Sequence, residues 1–425
     1  MDNPNREPNR RPREPETPED TDTHAAESAE REGEDAKIDQ REDQRRDSHR
    51  GRDQQSTQRE HRGPSAEHLR AYFAKHDARM LIRQLKRGEL DDPISTQLAQ
   101  GLKQVIRERD AECFTLPHTW RFATRRAAAR SRLSFLKEHP PYDIIVDASC
   151  GIGLMTRELA RLNPNELIGI EIDPVSAELA RANLTLFGVN ATIHVLDATS
   201  PEGLAHIERA DLVFCDPERI PSAPMRSIDE STPSYTMLAE RTKRLAYEAS
   251  PRIPLAQLPD DVIELYSERR RHARTTVYRG FGMRPSRRVV SDRSEEAEGE
   301  PRLFENAPLG TGRFVELLDP TIAKAGLSHL YGSWHEANTK HLRLTDRHEH
   351  APFVDTYRII ERGTHAAIRA AALQISDFNR IALRYPVPAG SYWREANAIR
   401  KSGSGTRTIH VFKLEDEYLL TEPMP

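Results

Sequence analysis

Four short apolar runs constrain this chain more than any other feature: Ile144 to Val146, Leu167 to Ile170, Thr192 to Leu196 and Leu212 to Phe214, each separated from the next by a helical stretch. Strands that alternate with helices pair in parallel, and the helices then cover both faces of the sheet. A doubly wound α/β domain is the expected result. It begins at the double proline Pro140 and Pro141, because consecutive prolines cannot continue the helix that precedes them.

The flanks differ from this core in composition. Residues 1–63 hold 13 Lys and Arg against 18 Asp and Glu, with no Phe, Trp or Tyr, so they lack the apolar surface that would offset the entropy of ordering them. A disordered charged tail is expected there. Residues 64–139 read as a small helical module, since Leu69, Phe73, Met80, Leu81, Leu85 and Leu90 recur at helical intervals. Its second half carries a basic group, Arg121, Arg125, Arg126, Arg130 and Arg132, interleaved with Trp120 and Phe122. That group reads either as a solvated helix face or as an RNA phosphate contact. The core domain is expected over 140–300, ending in a polar linker or loop at Arg287 to Glu300. A separate α/β domain is expected over 301–425.

Several function classes drop out. The 50 basic and 49 acidic residues beyond residue 63 give no global electrostatic case for nucleic acid. Cys113, Cys150 and Cys215 are too few and too scattered for a disulfide framework or a four-thiolate zinc site, and His348 and His350 lack metal-ligand spacing, so no metal is expected. No apolar run is long enough to cross a bilayer, and Met1 to Glu14 has no signal-peptide core. A cytoplasmic protein with no membrane partner is the expectation.

The chemistry gathers at the strand ends. After Asp147 the chain reads Ala148, Ser149, Cys150, Gly151, Ile152, Gly153 and then a helix, and the two glycines remove side chains that would block a ligand from the backbone. The second strand ends in Glu171, placed to accept the hydroxyls of a ribose. Asp173 precedes Pro174 and an apolar-periodic helix, the position of an N-cap. The third strand leads to Asp197, read as an adenine contact or a turn-forming residue. The fourth ends in Cys215, Asp216, Pro217, Glu218 and Arg219. Arg269 to Arg274 is read as a basic helix face, with RNA contact as the alternative.

This ordered set resembles the class I S-adenosylmethionine-dependent methyltransferases, whose first strand ends in an acidic residue followed by alternate glycines. Asp147, Gly151 and Gly153 match, and Ser149 replaces the first glycine. A nicotinamide dehydrogenase would want a third glycine where Thr156 stands. Asp216, Pro217 and Arg219, with Glu316 to Pro320, Ala325 to Leu327, and Pro352, Phe353, Tyr357 and Glu361, resemble a subfamily with an N-terminal helical extension and a C-terminal THUMP-like domain. The resemblance implies a Rossmann-like class I methyltransferase sheet and S-adenosylmethionine held by Asp147, Ser149, Gly151, Gly153, Glu171 and Asp197. It further implies Asp216, Pro217 and Arg219 at the reaction centre, and RNA as the substrate. Ser149 and the residues after Pro217 leave two alternatives: a non-catalytic RNA-binding protein on the same fold, or a methyltransferase of a non-RNA substrate.

Overall fold

The computed structural model describes residues 63–109, 111–120, 124–217, 227–337, 340–348, 350–375, 377–388, 390–399 and 405–424. Residues 1–62 of the charged tail, Arg121, Phe122, Glu218 and Arg219 lie outside them.

Each of the four runs becomes a strand: β1 (Ile144–Asp147), β2 (Glu166–Glu171), β3 (Thr192–Val195) and β4 (Leu212–Cys215). They continue into β5 (Leu245–Ala249), β6 (Val262–Ser267), β7 (His272–Arg279), β8 (Arg287–Ser291) and β9 (Glu296–Gly299). The nine-stranded sheet has the order β3-β2-β1-β4-β5-β7-β6-β8-β9. Strands β1 to β5 pair in parallel, whereas β7 runs antiparallel to both β5 and β6. The carboxyl ends of β1 to β6 therefore share one edge, where ligands of such sheets bind.

Two expectations fail here. Arg287 to Glu300 is not a linker: β8 pairs with β6, β9 pairs with β8, and Val289 and Val290 are buried. Arg269 to Arg274 is not a helix. Arg269 and Arg270 adopt positive φ (51° and 59°) in the turn from β6 to β7, and His272 onward is strand.

The module consists of α1 (Ala66–Phe73), α2 (Ala78–Arg87), α3 (Pro93–Arg109) and α4 (Arg126–Lys137). Its apolar stripe packs on the helices that follow β1 and β2, namely α5 (Leu154–Leu159) and α6 (Pro174–Phe187), in a cluster joining Leu69, Leu81, Leu85, Leu98 and Phe114 to Ile152, Leu154 and Leu179. Buried Asn183 of α6 fixes the join: its Oδ1 accepts from the Phe114 N–H at 2.6 Å, and its Nδ2 donates to the carbonyls of Phe114 (3.0 Å) and Ile152 (2.9 Å). The module thus grips the glycine turn from behind.

The C-terminal strands β10 (Phe314–Leu318), β11 (His335–Ala337), β12 (Lys340–Thr345), β13 (Val354–Gly363), β14 (Phe378–Leu383), β15 (Arg407–Leu414) and β16 (Glu417–Pro423) form a seven-stranded sheet, β11-β12-β10-β13-β16-β15-β14. All its pairings are antiparallel except β14 with β15. The two sheets share one apolar cluster, in which Leu318, Ile322, Leu327, Trp334 and Phe353 join Tyr247, Leu265, Val277 and Val289. Asp319 links them as well, accepting from Ser267 Oγ at 2.7 Å while it caps the helix Pro320–Lys324 through the Thr321 N–H at 2.7 Å.

Candidate active site

The turn after β1 needs its glycines for different reasons. Gly151 has φ 54°, in the left-handed region, and a Cβ there would point into open space. Gly153 has φ 82°, and a Cβ would press on Ala180 of α6 at 3.3 Å. Gly151 leaves room in front of the turn, while Gly153 lets α6 approach behind it.

Glu171 holds that turn. Its Oε2 accepts from the Gly151 N–H at 2.7 Å and its Oε1 from the Asp173 N–H at 2.9 Å, so β2 fixes both the turn and the start of α6. Burial raises the Glu171 pKa, with the two N–H donors opposing it. Each carboxylate oxygen retains lone-pair capacity for another donor. Asp173 caps α6 as expected, accepting from the N–H groups of Val175 (3.2 Å) and Ser176 (2.9 Å).

Asp147 is fully buried at the end of β1. Its Oδ2 accepts from Thr156 Oγ1 at 2.6 Å, and among the described residues its Oδ1 has no partner at hydrogen-bond distance, although the Ser149 N–H helps to hold the carboxyl's pKa down. Burial moves its pKa up from 3.8 to about 7. The folded protein therefore binds this proton more tightly than the unfolded chain, and its contribution to stability is complete below about pH 4 and lost as pH rises through about 7. Asp147→Asn is expected to flatten the fall in stability between pH 4 and 7, read from denaturation midpoints across that range; an unchanged slope would show that Asp147 ionises as it does in water.

Ser149, where the family pattern has glycine, is a tie between strands. Its Oγ accepts from the Asp216 N–H at 2.8 Å and lies 3.8 Å from Cys215 Sγ. The side chain joins the turn after β1 to the residues after β4, which a glycine could not do. Asp197 lies exposed just beyond β3, where its Oδ1 accepts from the N–H and Oγ1 of Thr199, both at 2.7 Å. This is an Asx-type turn. Pro217 is buried beside Asp216.

Asp216 is tied to a buried ion network that sequence reasoning missed. Arg274 Nη1 of β7 lies 3.0 Å from Asp216 Oδ2 and 3.4 Å from Glu248 Oε2 of β5. Glu248 is fully buried, and its Oε1 accepts from Arg132 Nε of α4 at 2.6 Å and Thr276 Oγ1 at 2.5 Å. Burial works against the charge of Arg274, but Asp216 and Glu248 outweigh it and raise its pKa. Arg132 is therefore no part of a solvated or RNA-facing surface, and Arg125 pairs with Glu268. Arg126 and Arg130 of the expected basic group are exposed. The signals were present: Glu248 stands inside the apolar run Leu245 to Ala249, and Arg132 falls at helical spacing with Ala128, Ala129, Phe135 and Leu136.

Cys150 and Cys215 are buried, and burial raises both thiol pKa values well above the ordinary range, so both stay protonated. Among the described residues no group of three or more His, Cys, Asp or Glu side chains could hold a metal ion, and no helix is long and apolar enough to cross a membrane.

Residues 145–227 match the model of a methyltransferase domain. A candidate methyltransferase from Porphyromonas gingivalis W83 superposes with a TM-score of 0.63 at 14% identity, covering 84% of this chain and 98% of that one. At this identity the likeness shows the fold alone, an α/β architecture with a Rossmann-like methyltransferase core. Smaller likenesses extend to the T. thermophilus 16S rRNA N2 G1207 methyltransferase solved with AdoMet and guanosine (TM-score 0.25, 18% identity, 33% of this chain and 36% of that one). Another is the Pyrococcus abyssi tRNA (uracil-54, C5)-methyltransferase solved with S-adenosyl-L-homocysteine (0.24, 21%, 33% and 32%).

Proposed function

We propose that this chain transfers a methyl group from S-adenosylmethionine to a base of an RNA, tRNA or rRNA. The observation that carries the cofactor half of this reading is the carboxyl edge of β1 and β2. There Glu171 draws a positive-φ glycine turn against itself while the space in front of Gly151 stays open. The donor and acceptor set fits the cofactor. Glu171 would accept from the ribose hydroxyls, Gly151 and Gly153 would let the backbone approach, and Asp197 would take the adenine amino group. Asp147 Oδ1, buried with no partner at hydrogen-bond distance among the described residues, would accept from the aminoacyl end, and Ser149 would hold the turn in register. When bound, S-adenosylmethionine supplies an electrophilic methyl group on a sulfonium.

The chain's own share of the chemistry is alignment, which contributes about 7–11 kcal/mol in well-oriented reactions without any covalent intermediate. Asp216, oriented by Arg274 and by its own N–H bond to Ser149, would accept a hydrogen bond from the base, with Pro217 fixing the chain direction. Arg219, outside the described residues, is proposed at the same centre. The RNA half of the reading rests on the exposed arginines Arg126 and Arg130. The C-terminal sheet is proposed to act as a THUMP-like unit that helps present RNA, and 140–300 and 301–425 as the two functional domains.

The test is a tritiated-methyl assay on total RNA from a strain lacking this protein. Label in RNA is expected, and label confined to protein or small molecules would remove the substrate assignment. In the same assay Asp216→Ala should lower turnover by about 100-fold, the scale at which positioned polar groups contribute, with cofactor affinity within about twofold of wild type. Full activity in that variant would exclude Asp216 from the reaction.

A further inference from the structure

The helix Pro320–Lys324 of the C-terminal part ends over the carboxyl edge of the first sheet. Lys324 Nζ donates to the Pro251 carbonyl, just past β5, at 2.8 Å, and lies 2.9 Å from Nδ1 of His272, the first residue of β7. His272 Nε2 lies 2.9 Å from the Arg274 carbonyl, and a carbonyl can only accept. Nε2 therefore carries the ring hydrogen, and Nδ1 offers its lone pair to the ammonium. Burial and Lys324 together lower the His272 pKa to about 4, so the ring is neutral. Both hydrogen-bond partners of Lys324 are uncharged, and among the described residues no carboxylate forms an ion pair with it.

Two more cations gather at this point. Arg252 follows Pro251 directly and Arg271 precedes His272 directly, so each is one residue from an atom that Lys324 touches. Both are exposed, and neither forms an ion pair among the described residues. The nearby acids are largely committed elsewhere: Asp216 to Arg274, Glu268 to Arg125, and Asp355 to Arg270 and Arg293. Asp292 is exposed and accepts from the Arg269 N–H at 3.1 Å. Among the described residues, three cations without an ion-pair partner thus stand at or next to the contact of Lys324 with Pro251 and His272, where β5 ends and β7 begins, the side on which Arg274 of β7 meets Asp216.

We infer that Arg252, Arg271 and Lys324 form a phosphodiester-binding site that holds the backbone of single-stranded RNA beside the cleft. This rests on the RNA-methyltransferase reading above and adds where the strand lies. A base that enters a closed cleft leaves its stack, so the backbone next to it is single-stranded. Cationic tracks hold such strands through their phosphates, whatever the sequence.

The full chain would be titrated with a fluorescein-labelled 12-nucleotide oligouridylate at several salt concentrations, alongside polyglutamate of the same length, with S-adenosylmethionine affinity measured separately. Arg252→Ala/Arg271→Ala/Lys324→Ala is expected to weaken oligouridylate binding by about 10- to 100-fold. The slope of log K against log salt should become shallower by about 2, the value for three phosphate contacts at about 0.7 each. Lys324→Arg should retain wild-type binding, and cofactor affinity should not change in either variant. Wild-type-like binding and slope in the triple variant would overturn the site. Polyglutamate binding as tightly as the RNA, with the same loss in the variant, would overturn its assignment to RNA. Loss of cofactor binding in wild type alone, with the RNA results as expected, would instead count against the methyltransferase reading.

Discussion

Glu171→Ala is expected to weaken S-adenosylmethionine binding by at least 100-fold. The carboxylate would lose two charge-assisted bonds to the ribose, each contributing about 1.5–3 kcal/mol, and the sum spans roughly two to four powers of ten in affinity. The variant also loses the acceptor for the Gly151 and Asp173 N–H groups. The turn would then no longer be held in the shape that leaves its front open, so the loss of preorganisation adds to the loss of contact. Glu171→Asp is the informative companion: it keeps the charge but shortens the reach, and intermediate affinity is expected. Calorimetric titration of the three proteins checks this, and equal affinities would remove Glu171 from the cofactor site. The cost in stability should be smaller than the effect on affinity, because Glu171 is only partly buried and water can reach the freed N–H groups.

Glu248→Ala is expected to be the most destabilising single change at the site, by about 3–5 kcal/mol, the usual cost of leaving a buried charge without its partner. Here one carboxylate serves two guanidinium groups, those of Arg132 and Arg274, together with the Thr276 hydroxyl. Removing it strands the side chain of Arg132, which is 2% exposed, and releases Arg274 from one of its two acids. Arg132→Met should cost less, since Glu248 keeps Arg274 and Thr276 and the methionine fills similar volume. Urea denaturation of both variants measures the difference; a loss under about 1 kcal/mol for Glu248→Ala would mean that the arginines find other partners. Because Arg274 also orients Asp216, Glu248→Ala should lower turnover as well as stability, while Arg132→Met should affect mainly stability.

What could be read from the sequence divides along physical lines. Strands β1 to β4 were legible because each is an apolar run between helical stretches, and the Asp173 cap because a helix opening with proline calls for a side chain that accepts from its first N–H groups. Strands β6 to β9 were not. Their faces carry Glu264, Arg274, Thr275, Thr276 and Arg288, which are satisfied by ion pairs and hydrogen bonds inside the protein, so the hydrophobic alternation that marks a strand is broken. The β6–β7 turn was hidden for a different reason. It places Arg269 and Arg270 at positive φ, where glycine or asparagine would have announced a turn. Arg270 holds that shape by pairing with Glu295, Asp319 and Asp355, partners that only the folded chain brings near. The same holds for Lys324, whose neighbours Pro251 and His272 lie 73 and 52 residues away in sequence. Ser149 looked like a weakened glycine motif, and its role as a tie to Asp216 depends on β1 and β4 being adjacent in the sheet.

The carboxyl edge of β1 and β2 is proposed to bind an adenosyl ligand. A crystal of the full chain soaked with S-adenosylhomocysteine tests it most directly. Density is expected in front of Gly151, with both ribose hydroxyls within hydrogen-bonding distance of Glu171. Saturating ligand that leaves this space empty, or that binds with its ribose away from Glu171, would contradict it.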